Sequence, residues 1–182
     1  MMGFDGTSID GVFVVSTRAV CDERGDFVRA WCRTEFSDNG IAAEFCQSNL
    51  STSRRRGTLR GLHFSVPPSA EAKLVRCVHG AVYDVALDLR PRSPTYRKWT
   101  AQELSHKNRL ALFIPEGVAH GFQTLADDTQ LLYHMTQPYD PTCARGVRWN
   151  DPAFKISWPL DVTSISIRDR DYENFSDVVV GQ

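Results

Sequence analysis

Turn-forming residues interrupt this chain at short intervals, and that spacing limits what it can fold into more than any other feature. Asp22-Glu23-Arg24-Gly25, Asp38-Asn39-Gly40, Pro67-Pro68, His79-Gly80, Pro91 to Pro94, Pro115-Glu116-Gly117, Asp127-Asp128 and Pro138 to Pro141 are all turn signals. Between them lie short runs rich in Val, Leu, Phe, Tyr and Thr, side chains that suit a pleated surface. The runs predict strands at 12–16, 27–31, 58–64, 73–78, 81–89, 99–104, 111–114, 120–125 and 130–136. Short strands at this spacing define an all-β sandwich or barrel. Helical periodicity is confined to 33–39 and a turn or two near the carboxyl end. No internal repeat, low-complexity tract or linker divides the chain, which predicts one domain over 1–182.

Composition narrows the function classes. The 182 residues, 42% of them hydrophobic, suffice for one substantial core. Lys and Arg number 21 against 22 Asp and Glu, so the basic excess that a nucleic-acid footprint needs is absent. A compact anionic ligand needs only a local Arg and Lys cluster and stays compatible. The five cysteines (Cys21, Cys32, Cys46, Cys77, Cys143) are widely spaced, odd in number and form no C-x-x-C pair. That argues against a disulfide framework or structural zinc, and for reduced thiols in a cytoplasmic protein. The amino terminus does not read as a secretion signal, and no segment approaches the roughly 18 uninterrupted apolar residues of a membrane helix.

Strand alternation places several polar groups among apolar neighbours. In 81–89, Tyr83, Val85, Leu87 and Leu89 share one face and Val82, Asp84, Ala86 and Asp88 the other. Lys73 falls with Val75 and Cys77, and Tyr133 with Leu131 and Met135, leaving His134 opposite. In 58–64, His63 shares a face with Leu59 and Gly61, which puts Arg60 on the other side. Such groups need a partner or a task. A strand His is more often a hydrogen-bonded structural residue than a catalyst, a Tyr between Leu and Met is usually core, and Lys73 can extend its ammonium into water. Around His63 there is no H-x-H pair and no Glu at ligand spacing, and His120 alone cannot hold an ion, so no metal is expected.

Several ordered segments together resemble one family. They are Asp22-Glu23-Arg24-Gly25, Leu59-Arg60-Gly61-Leu62-His63-Phe64, Lys73-Leu74-Val75-Arg76-Cys77, Asp84 to Arg90, Ser93-Pro94-Thr95, Ile114 to Phe122 and Trp149-Asn150-Asp151-Pro152. From about Phe13 to Asp171 the chain resembles the dTDP-4-dehydrorhamnose 3,5-epimerases of deoxysugar biosynthesis. The resemblance implies a cupin-type jelly-roll β-barrel with a few short helices, a homodimer, and catalysis without metal or other cofactor. It implies a nucleotide-diphospho-4-keto-6-deoxysugar substrate, with His63 as catalytic base, Asp169 as its carboxylate partner, Tyr133 as acid and Lys73 beside the substrate carbonyl. Arg24, Gln47, Asn49, Arg60, Asp84 and His120 match positions lining the substrate site. Arg60 and Arg24 would neutralise the diphosphate.

Three places depart from the family pattern. Asp26 and Arg29 stand where an aromatic and a Glu help to hold thymine, so Arg29 is a substrate-facing position of reversed charge and a cytidine- or guanosine-linked sugar stays open. Leu50 replaces a polar ring in Gln47-Ser48-Asn49-Leu50-Ser51, and Pro138-Tyr139 replaces paired tyrosines, which leaves open whether carbon 3, carbon 5 or both are inverted. A keto-sugar isomerase and a sugar-nucleotide-binding cupin without catalysis are the competing readings.

Overall fold

The computed structural model describes residues 1–175. In chain order the elements are β1 (Met2–Gly6), β2 (Phe13–Thr17), β3 (Val20–Asp22), β4 (Gly25–Phe27), α1 (Arg33–Asp38), β5 (Gln47–Ser53), β6 (Leu59–Ser65), β7 (Lys73–His79), β8 (Ala81–Asp88), β9 (Trp99–Ser105), β10 (Ala111–Ile114), β11 (Val118–Thr124), β12 (Thr129–Met135), β13 (Ala144–Gly146) and α2 (Ile167–Arg170). One sheet runs β1-β2-β10-β7-β12-β5, a second runs β13-β6-β11-β8-β9, and β3 and β4 form a separate hairpin. All pairings between these strands are antiparallel. The two sheets make the cupin jelly roll.

Three apolar layers explain why the strand runs are so hydrophobic. Val75, Val82, Ala86, Leu112, Phe122 and Leu131 meet between the sheets. The outer face of the five-stranded sheet is covered by the chain after β13, where Val147 and Phe154 pack on Leu62, Phe64, Val85 and Leu87. Phe36 of α1 and Ile41 cover Leu74, Ala111 and Phe113 on the outside of the six-stranded sheet. A strand covered on both faces has no solvent side, so polar alternation disappears. That is why every residue of β10 and β11 is buried.

Several boundaries differ from the sequence expectation. The run at 27–31 is a strand only as far as Phe27, because its partner β3 ends the pairing at Val20↔Phe27. Strands β1, β5 and β13 carry little apolar signal and exist through long-range pairing. All seven residues of the polar β5 are in register with β12, from Gln47↔Met135 to Ser53↔Thr129.

The expected placement of Arg60 and His63 on opposite faces is also overturned. The β6–β11 register passes from His120↔His63 to Phe122↔Arg60, so two residues of β6 oppose one of β11. This bulge resets the alternation and turns both side chains toward one cavity. It requires glycine: Gly61 has φ 112°, and a Cβ there would lie 2.6 Å from Gly121 Cα.

Candidate active site

A cavity of about 440 Å³ opens at one end of the barrel. Strand β5 lends it Gln47 and Asn49, β6 Arg60 and His63, β7 Lys73, β11 His120, and β12 Tyr133. Seven of the sequence-predicted residues thus converge from five strands. Glu71, Tyr139, Arg145 and Arg168 join them without having been singled out as site residues. Glu71 was within reach of the alternation argument, since it stands two positions before Lys73 on the same phase.

The most organised group is the imidazole. His63 Nε2 lies 2.8 Å from Asp169 Oδ1, and the second carboxylate oxygen accepts the Gly61 N–H at 3.0 Å. Asp169 is only 3% exposed and sits in the first turn of α2, where Ser166 Oγ accepts its N–H at 3.0 Å. Burial pushes its pKa up, but the His63 contact, the Gly61 N–H and Ser166 outweigh this and leave it below the ordinary carboxylate value. An ionised carboxylate fixes the Nε2–H tautomer and leaves Nδ1 as the nitrogen able to take a proton. Arg168 Nη2 lies 3.3 Å from the same Nε2.

Two further pairs are buried in or beside the cavity. Lys73 Nζ is 2.5 Å from Glu71 Oε1, with side chains 9% and 5% exposed. His120 Nε2 contacts both oxygens of Asp84 at 3.0 Å. Asp84 itself lies behind the cavity wall and is fully buried; burial raises its pKa, and the charge and hydrogen bond of His120 oppose that rise. Tyr133 is half-buried, and burial pushes its phenol above the ordinary value although Arg60 pulls the other way. The phenol therefore holds its proton at neutral pH and can donate it. Gln47 Nε2 donates to Asn49 Oδ1 at 3.2 Å, and Gln47 Oε1 accepts the Tyr139 N–H at 3.0 Å.

Of the four predicted residues that do not line this cavity, Asp84 and Asp169 hold His120 and His63 from behind, and the other two lie elsewhere. Arg24 sits at the tip of the β3–β4 hairpin, 85% exposed and 2.6 Å from Asp22. Arg29 is 56% exposed and paired with Glu35 of α1. Arg60 and Arg168, by contrast, line both the first cavity and a neighbouring one of about 500 Å³, as does His63. Among the described residues no cluster of three or more His, Cys, Asp or Glu could hold a metal ion.

A jelly-roll barrel that gathers a carboxylate-held imidazole, a neutral phenol and a paired ammonium in one cavity has the equipment for moving protons at a carbon acid. Comparisons with known proteins narrow the class. The chain belongs to the dTDP-4-dehydrorhamnose 3,5-epimerase family, whose sequence model matches residues 6–177. The protein of that name from Sinorhizobium fredii is 44% identical over 164 residues, covering 90% of this chain and 84% of the relative. The crystal structure of the Bacillus anthracis epimerase with TDP and PPi bound superposes with a TM-score of 0.93 at 35% identity, over 96% of this chain and 100% of that one. The Legionella pneumophila enzyme, solved with dTDP-4-keto-L-rhamnose, gives 0.90 at 34% identity over 96% and 93% of the two chains.

Proposed function

We propose that this chain inverts carbons 3 and 5 of a nucleotide-linked 4-keto-6-deoxyhexose, with His63 as base and Tyr133 as acid. The observation that carries the reading is the convergence of His63 with its Asp169 carboxylate, Lys73 and Tyr133 on one cavity. The 4-keto group acidifies the neighbouring C–H bonds, because the electron pair left behind delocalises onto oxygen. His63 Nδ1 takes the proton from one ring face, Asp169 steadies the imidazolium, and Lys73 stabilises the enolate oxygen. Tyr133 returns a proton to carbon from the other face, and solvent restores both groups. No electrons are gained or lost, so the balance needs no redox partner.

Arg60 and Arg168, where the two cavities meet, suit the diphosphate. Arg24 lies outside its own chain's cavity, so a role on substrate requires the hairpin to reach a second copy. The hairpin exposes Val20 (68%) and Phe27 (73%), apolar surface that fits the proposed homodimer. The proposed setting is the cytoplasm, where the five unpaired thiols stay reduced.

Incubation with thymidine-, cytidine- and guanosine-linked 4-keto-6-deoxysugars in deuterated water tests the reading. Deuterium should enter at both carbons flanking the ketone for one base, and His63→Ala should abolish the exchange while nucleotide binding survives. Label at one carbon only would make the chain a single-centre epimerase; no label on any substrate would defeat the proposal.

A further inference from the structure

One aromatic ring near the site has no part in the proton transfers above. Strand β13 pairs with β6 so that Gly146 stands directly opposite His63. The absent side chain at Gly146 leaves a notch in the barrel wall, and the ring of Tyr172 fills it. An ideal Cβ at Gly146 would overlap three ring atoms of Tyr172. The seated ring meets His63 edge-on, with centroids 6.2 Å apart at 72°. Its phenol is within hydrogen-bonding reach of Arg168, and burial raises its pKa.

Tyr172 also follows the two residues that matter most in the carboxyl-terminal segment. It lies three positions after Asp169 and four after Arg168, just beyond α2, which is four residues long. So short a helix has little stability of its own and takes its position from tertiary anchors. The segment around α2 is tied to the barrel by the Leu59 N–H on the Ser164 carbonyl at 2.8 Å, the Asp169 carboxylate on Gly61 and His63, Arg168 beside His63 and Tyr139, and the Tyr172 ring in the notch. The Asp169 and Arg168 contacts are the interactions whose geometry has to be held; the Ser164 bond anchors the amino-terminal side of α2, and the ring is the independent anchor on its carboxyl-terminal side.

We infer that Tyr172, seated against Gly146, is a positioning residue: it fixes α2 against the barrel so that the Asp169 carboxylate stays in line with His63. This rests on the proposed role of His63, and it predicts coupling between positions 146 and 172 that a plain packing contact would not transmit to an imidazole. Glycine at 146 is required because the ring occupies the space of any side chain there.

The test is a double-mutant cycle of Gly146→Ala and Tyr172→Ala, read by kcat, KM, thermal unfolding and the nitrogen-15 shifts of the His63 ring. Each single variant should lower kcat by about 100-fold, the scale of a catalytic group displaced by about an ångström, with KM little changed. Tyr172→Phe, which keeps the ring but loses the phenol, should fall between wild type and Tyr172→Ala. In the Tyr172→Ala background Gly146→Ala should add no further loss, because the ring it displaces is gone. The His63 nitrogen shifts should move from one tautomer toward a mixture in both single variants. That measurement needs no turnover, so it separates failure of this inference from failure of the epimerase reading. If Gly146→Ala does not fold, Tyr172→Ala alone decides through the same shifts. Losses that multiply independently, or a His63 tautomer unchanged in both variants, would overturn the assignment.

Discussion

Two ion pairs of nearly equal length occupy opposite situations in this molecule. Lys73 and Glu71 meet at 2.5 Å inside the cavity, with side chains 9% and 5% exposed; Arg24 and Asp22 meet at 2.6 Å on the β3–β4 hairpin, 85% and 48% exposed. Distance alone would rank them equal. Burial separates them: a water-exposed pair is screened and contributes little, whereas removing one member of a buried pair strands the other without solvation. In the cavity the Lys73 ammonium and the His63 imidazole each face a buried carboxylate, whereas on the hairpin partners can be exchanged. The proposed proton transfers depend on the first arrangement; the second leaves Arg24 able to exchange Asp22 for another anion.

The largest expected effect bears on the cavity side of this contrast. Asp169→Asn should lower the deuterium-exchange rate on the order of 10³-fold with the melting temperature near that of wild type, because an amide no longer dictates the His63 tautomer. An activity loss under tenfold would mean that the imidazole is oriented by something else. Next, Glu71→Leu should destabilise the fold by about 3–5 kcal/mol in denaturant unfolding, since the Lys73 ammonium is left buried alone. A paired Glu71→Leu/Lys73→Met variant should recover much of that stability while exchange stays lost, which would separate the structural from the chemical work of the lysine.

A smaller effect comes from Asp88. Burial raises its pKa, but hydrogen bonds from Arg90, Ser93 and Thr95 overcome this and hold it at about 2. A carboxylate depressed in the folded state stabilises above its ordinary value near 3.8, and that contribution disappears as pH falls from about 4 through about 2. The loss should amount to about 2 kcal/mol, and Asp88→Asn should flatten the acid limb of the stability curve. At the bottom of the order, Arg24→Ala should leave the melting temperature unchanged, while KM for the nucleotide sugar rises if the hairpin reaches a second copy's cavity. A fall in melting temperature as large as that of Glu71→Leu would erase the distinction between the two regions.

Much of the barrel is legible in the chain because its strands are covered on both faces. Runs such as Ala111–Ile114 carry their own signal in continuous apolar character. Strand β5 does not: Gln47–Ser53 is largely polar, and only its pairing along β12 makes it a strand. The same limit applies to the site. Lys73 and Tyr133 could be placed by alternation within their own strands, and both do face the cavity. Arg60 and His63 could not, because the bulge opposite His120 and Phe122 shifts the phase by a residue that only the neighbouring strand reveals. Asp169 is 106 positions from His63, a contact that no local pattern encodes and that resemblance alone supplied. Glu71 was missed although period-two reasoning reaches it, for it lies just outside the strand that holds Lys73.

The order of the elements along the chain has a temporal meaning. Every strand of both sheets lies before residue 147, yet the carboxylate that contacts the His63 imidazole lies at 169. A nascent polypeptide emerging amino end first can therefore assemble its walls before His63 acquires its carboxylate partner. A chain cut between Trp158 and Asp169 keeps the barrel strands but leaves His63 without its carboxylate partner. On the proposed mechanism such a fragment would house the ketone without enolising it. On that mechanism, reactivity waits on the segment that follows the last barrel strand.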